Sequence, residues 1–199
     1  MAVLMLVLVL NLGISFWNAY AVGTTWVEAK HAGGYRRFIT WCGAIMTDIG
    51  FTWCILVILG LVANQVGWLN DDSTNLLFNM GYVFIVPFLL FAGFAITFDS
   101  WARAYRTEQH RAAHLGVAGW NTFASVYNTY NAVNTFGDAL GKIFDELGKM
   151  SKNKDSAQLV LVLIIFIFSV GLGTLITYWL INHYAARDEP MPTPERIPA

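Results

Sequence analysis

Four stretches of the chain are hydrophobic over a length that could cross a lipid bilayer. They cover approximately residues 2–22, 38–62, 77–98 and 157–183. The hydrocarbon core of a bilayer is about 30 Å thick and an α-helix rises about 1.5 Å per residue, so a crossing needs about 20 apolar residues. The pattern is clearest in the fourth stretch, because every residue from 159 to 168 is apolar. It predicts an all-α integral membrane protein with four transmembrane helices.

The first hydrophobic stretch has a second interpretation, a cleaved signal peptide. Ala19-Tyr20-Ala21 has the small residues of a cleavage site. A secretory signal normally opens with a positively charged region, however, and no lysine or arginine precedes Lys30. We therefore expect a retained transmembrane helix, with the cleaved signal as the alternative.

Residues 99–156 form the one long connection between hydrophobic stretches, and we predict a helical insertion outside the membrane. In residues 117–136 the large apolar side chains recur every three or four positions, as in an amphipathic helix. Leu140, Ile143 and Leu147 fall on roughly the opposite side. A break near residues 131–137 is therefore expected, giving two short helices.

The amphipathic segment is the predicted docking surface for a partner. Its candidate contact residues are aromatic: Trp120, Phe123, Tyr127 and Tyr130. The asparagines between them are expected to form a solvated face: Asn121, Asn128, Asn131 and Asn134.

The orientation follows from the basic residues of the connections, which are enriched on the cytoplasmic side of membranes. Both the first and the third connection are basic, and the second has only Asp71 and Asp72. Loops 1 and 3 are thus predicted to be cytoplasmic, with both termini outside. Residues 184–199 are rich in proline and charge and predict a flexible tail. The basic residues are Lys30, Arg36 and Arg37, then Arg103, Arg106 and Arg111, then Lys142, Lys149, Lys152 and Lys154.

The composition supports a membrane location and narrows the partners. Hydrophobic residues make up 56% of the chain and charged residues 13%, against about 25% charged in a typical soluble domain. A net charge of −1 argues against nucleic acid, whose binding needs a basic surface. The expected partners are the lipid bilayer, a second copy or a membrane complex, and a soluble cytoplasmic protein.

Asp48 is the most informative single residue, because it lies about ten residues into the second hydrophobic stretch. That is roughly 15 Å deep, where a carboxyl costs about 2.5–3.5 kcal/mol unless it finds a partner. Asn11 lies near the middle of the first stretch, so we expect a hydrogen bond between the two, with the hydroxyl of Thr47 nearby. A clamp between helices is the preferred interpretation, and a proton, ion or substrate relay is the alternative.

Small residues predict close helix packing or self-association through the second and fourth stretches. The candidates are Gly43, Ser169 and Gly173.

No catalytic or cofactor-binding pattern is recognisable. His110 and His114 share one helix face, but two ligands are too few for a metal, so we expect no metal and no cofactor. The sequence thus predicts a non-catalytic anchor or assembly subunit that is oligomeric and docks its partner on the insertion. The alternative is an oligomeric pore or transport-associated subunit with Asp48 in the bundle interior.

Overall fold

The structure, a computed structural model, describes residues 2–108, 110–153 and 156–187. Its helices are α1 Ala2–His31, α2 Gly34–Gln65, α3 Asp71–Arg106, α4 Arg111–Asn153 and α5 Ser156–Ala185. Four of them are long and apolar enough to cross a membrane: α1, α2, α3 and α5. The predicted all-α class with four such helices is therefore confirmed. Residues 188–199 of the predicted tail lie outside the described residues, whereas residues 184–185 belong to α5.

The turn between α2 and α3 reverses the chain within five residues. Gly67 adopts a φ of +77°, a conformation that glycine accepts without steric cost, and the N–H of Trp68 donates to the carbonyl of Ala63 at 2.8 Å. Asn70 then caps α3, since its side chain accepts from the N–H of Ser73 at 2.7 Å. This end of the bundle is called the Trp68 end below.

The first three helices run antiparallel to their neighbours. The thiol of Cys54 in α2 lies 3.8 Å from the carbonyl of Leu8 in α1, and both cysteines are buried. Phe38 near the start of α2 packs edge-to-face on Phe91 in α3, with 5.9 Å between the ring centroids. The opposite end of the bundle, which holds the short α1–α2 connection, is called the Gly33 end.

Helix α4 is one continuous helix from Arg111 to Asn153. The predicted break near residues 131–137 is therefore wrong. The two apolar sets of this helix face different surroundings, so no break is needed to explain them. Ile143 and Leu147 pack into a core cluster with Leu76 and Leu77, whereas the aromatic set before them points away from the protein.

Helix α4 also runs beside α3 and does not form a separate element. Ser125 lies 2.9 Å from Thr97, hydroxyl to hydroxyl, and Met150 near the end of α4 is buried at the Trp68 end. Helix α5 starts there too, because the amide of Gln158 donates to the carbonyl of Trp68 at 3.1 Å. The chain therefore enters α4 at the Gly33 end, where α3 stops, and enters α5 at the Trp68 end.

The first and last described helices begin and end at opposite ends of the bundle. Helix α1 starts at the Trp68 end. Helix α5 finishes at the Gly33 end, where Tyr184 packs against the backbone of Gly23 in α1.

Candidate functional site at Asp48 and on the outer face of α4

Asp48 lies mid-way along α2 and is held by hydroxyl groups. Thr52, one turn further along α2, donates to it at 3.3 Å, and Thr174 of α5 lies 3.1 Å from its Oδ2. Thr174 has one hydrogen and also lies 2.9 Å from the carbonyl of Val170. A neutral carboxyl could satisfy all three groups, because it can donate to Thr174 while Thr174 donates to Val170.

Gly173 is what lets α5 come this close to α2. A Cβ at this position would lie 2.9 Å from the backbone nitrogen of Thr52 and 3.0 Å from its Cα. The first distance is shorter than real Cβ contacts and the second is tighter than nine in ten of them, so a glycine is needed between the two backbones. The close approach brings the neighbouring Thr174 within reach of Asp48.

Asp48 lines a cleft of about 180 Å³ between α2, α3 and α5. Apart from Asp48 and Thr52, its walls are apolar, and no described basic side chain lines it. Phe84 and Phe166 pack edge-to-face at 5.5 Å and join α3 to α5 on the Trp68 side of the cleft. The remaining wall residues are Ile45, Ile49, Phe84, Ile85, Phe88 and Val170.

The predicted hydrogen bond between Asn11 and Asp48 is wrong. Asn11 donates to the carbonyl of Val7 in its own helix at 2.9 Å, and Thr47 is fully buried and donates to Gly43 at 3.0 Å. Successive residues of a helix point about 100° apart, so a similar position along two helices does not by itself bring two side chains together. Asp48 therefore faces α5 and not α1. Thr174, which takes the predicted role of Asn11, was missed although it lies near the middle of the fourth hydrophobic stretch.

The three predicted packing residues lie inside the bundle. Gly43 faces α1, where a Cβ would lie 2.6 Å from a methyl group of Val22. Gly173 faces α2. Ser169 is fully buried, and its hydroxyl donates a hydrogen bond to the carbonyl of Ile165 at 2.7 Å. They pack helices of one chain together, so they are not available to a second copy.

The face of α4 that packs on α3 is made of small and polar side chains. Its buried small residues recur every seven positions, which keeps them on one side of the helix. Asn121 donates to the hydroxyl of Ser100 at 2.6 Å, and the indole of Trp101 donates to Thr122 at 2.9 Å. The prediction that Asn121 is solvated is therefore wrong. The small residues are Ala118, Ser125, Ala132 and Ala139.

The opposite face of α4 carries the predicted docking residues, and all of them are exposed. Between 56% and 67% of each is accessible, and the rings of Phe123 and Tyr127 stack at 6.2 Å. Asn134 follows Tyr130 by one turn and is exposed as well. We call this surface the outer stripe; it consists of Trp120, Phe123, Tyr127, Tyr130 and Asn134.

Comparison with protein-family models, with curated proteins and with solved structures finds no match for this chain. In the described residues, no group of three or more histidine, cysteine or acidic side chains is arranged to hold a metal ion.

Proposed function

We propose that this protein is a non-catalytic assembly subunit of a membrane complex and that it pairs with a second copy through the outer stripe of α4. The observation that carries the proposal is the combination of large aromatic side chains with exposed polar groups on that stripe. The hydroxyls of Tyr127 and Tyr130 and the amide of Asn134 all lie on the side of α4 that faces away from α3.

The proposal includes a fifth membrane crossing, in which α4 spans the bilayer beside its neighbouring helices. Residues 115–137 carry no charged side chain, and at about 1.5 Å per residue they extend roughly 34 Å, enough for the hydrocarbon core. Their asparagines and threonines lower the hydropathy, but Asn121 and Thr122 are satisfied by contacts to α3. Polar groups that bond between helices are compatible with a lipid environment.

With five crossings the Gly33 end still carries more basic residues than the other end. Seven lie at the Gly33 end, Lys30, Arg36, Arg37, Arg103, Arg106, Arg111 and Arg187, against the four lysines that precede α5, Lys142, Lys149, Lys152 and Lys154. The Gly33 end remains the basic end and is therefore cytoplasmic in this proposal. The N-terminal end of α1 is then outside, and Arg187 after α5 is in the cytoplasm. The docking surface, which was predicted in the cytoplasm, lies within the membrane in this proposal. Its partner is therefore a membrane-embedded helix and not a soluble protein.

A second copy is the partner that fits the outer stripe best. Tyrosine hydroxyls and asparagine amides both donate and accept, so a two-fold axis can pair each group with its counterpart. Facing lipid alone, the same groups would have no hydrogen-bond partner, which is costly in hydrocarbon. Tyr130 lies at the level of the middle of α3, where no water competes.

We expect the double substitution Tyr130→Phe and Asn134→Leu to weaken dimerisation about eightfold. It removes the polar groups and keeps the apolar bulk, and two symmetry-related bonds at about 0.6 kcal/mol each give this factor. Single-molecule photobleaching of labelled protein in liposomes over a range of dilutions measures the change. The matched control is Tyr178→Phe, an exposed tyrosine on α5. A wild-type protein that stays monomeric, or an equal effect of the control, would contradict the proposal.

Transport association is the second candidate function, and the cleft at Asp48 favours it. The carboxyl of Asp48 and the hydroxyl of Thr52, in an otherwise apolar cleft, are groups that can hold a proton or a cation. Since assembly is the preferred function, we expect both wild-type protein and Asp48→Asn to leave a pH gradient across liposomes intact. A leak through wild-type protein that Asp48→Asn abolishes would favour transport instead.

A further inference from the structure

A second cavity, of about 250 Å³, lies between α1 and α2 at the Gly33 end. Trp26, Ala29 and Lys30 line it from α1, and Arg37 and Trp41 line it from α2. The spacings of three and four residues place each set on one face of its helix. The two indoles meet edge-to-face at 6.2 Å and form an aromatic wall beside the two cations.

The two cations of this cavity have no anionic partner among the described residues. Arg36, next to Arg37, pairs with Glu28 at 2.5 Å, so its charge is neutralised. Lys30 and Arg37 form no ion pair in that part of the chain, and both are exposed. Two unneutralised positive charges at one cavity favour an anion.

The depth of the cavity in the membrane indicates which kind of anion it binds. Tryptophan is enriched where a membrane helix passes the headgroup region, and basic pockets between helices on the cytoplasmic side suit anionic headgroups. We propose that this cavity binds the phosphate of an anionic lipid. The planar guanidinium of Arg37 grips two phosphate oxygens, Lys30 adds a point charge, and the indoles contact the apolar part of the lipid. The proposal rests on the helices that can span a membrane and not on pairing through α4.

Native mass spectrometry of the full-length protein in detergent tests the site, with phosphatidylglycerol and phosphatidylcholine as probes. We expect phosphatidylglycerol to bind more tightly than phosphatidylcholine. The double variant Lys30→Gln/Arg37→Gln should bind phosphatidylglycerol roughly 30-fold more weakly, from the usual contribution of one basic side chain near an anionic membrane, applied twice. Arg36→Gln is the matched control, because it removes a neighbouring basic side chain that pairs with Glu28 and does not line the cavity.

The remaining outcomes also decide the question. Equal binding of the two lipids to wild-type protein would overturn the proposal even if the double variant failed to fold. So would an equal loss in Arg36→Gln. Displacement of bound phosphatidylglycerol by millimolar inorganic phosphate would assign the site to a soluble anion and overturn its assignment to lipid. No displacement is expected.

Discussion

Replacing Gly173 by leucine is expected to separate α5 from α2 and to destabilise the protein by about 3 kcal/mol. The new Cβ would lie 2.9 Å from the backbone nitrogen of Thr52, and a backbone atom cannot move aside as a flexible side chain can. The hydrogen bond between Thr174 and Asp48 would be lost with the contact, so the carboxyl would lose its partner on α5. Reversible unfolding in mixed micelles, followed by circular dichroism, measures the change.

Gly171→Leu is the matched control for this prediction. It lies on the same helix two residues away, and a Cβ there has nothing within 4 Å. Both substitutions gain the same helix propensity, so the difference between them isolates the contact with Thr52. Equal stability of the two variants would show that α5 does not pack on α2 at Gly173.

The four apolar helices could be predicted from the sequence because their signal is length and composition. The second hydrophobic stretch, residues 38–62, lies within α2, and the others likewise lie largely within α1, α3 and α5. Hydropathy depends only on the composition of a segment. A long apolar segment forms a helix that is either buried or in contact with lipid, with few other possibilities.

The packing of α4 on α3 could not be predicted, because hydropathy averages over all sides of a helix. Its polar residues lower the average, but Asn121 is turned towards Ser100 and the large aromatic residues are turned outwards. The break was predicted because one straight helix cannot bury both the aromatic set and the set of Leu140, Ile143 and Leu147 on a single surface. The reversed pattern, with small and polar residues inside, is the one found between membrane helices.

The depth of Asp48 could be predicted, but its direction could not. Position along a helix follows from counting residues, whereas the neighbour a side chain faces depends on how the helices are arranged around each other. The glycines would have been the best guide: Gly43 and Gly50 mark the side of α2 that meets α1. Asp48 does not lie on this side of α2, so its side chain cannot contact Asn11 in α1.

The second prediction with a large expected effect concerns cysteine labelling at the two ends of α4, which we expect to occur from opposite sides of the membrane. In a Cys42→Ala/Cys54→Ala background, Glu108→Cys reports the start of α4 and Ser156→Cys the start of α5. If α4 crosses the layer, a membrane-impermeant maleimide added to right-side-out vesicles reacts with one of these cysteines and not with the other. Both native cysteines are buried, so removing them leaves the surface unchanged.

Two reference positions calibrate the labelling. Gly33→Cys marks the Gly33 end and Val66→Cys marks the Trp68 end, and both positions are exposed. We expect Ser156→Cys to be labelled from outside together with Val66→Cys, and Glu108→Cys to be labelled only after permeabilisation, together with Gly33→Cys. Labelling of Glu108→Cys and Ser156→Cys from the same side would contradict the fifth crossing, and with it the proposal that α4 pairs two copies within the membrane.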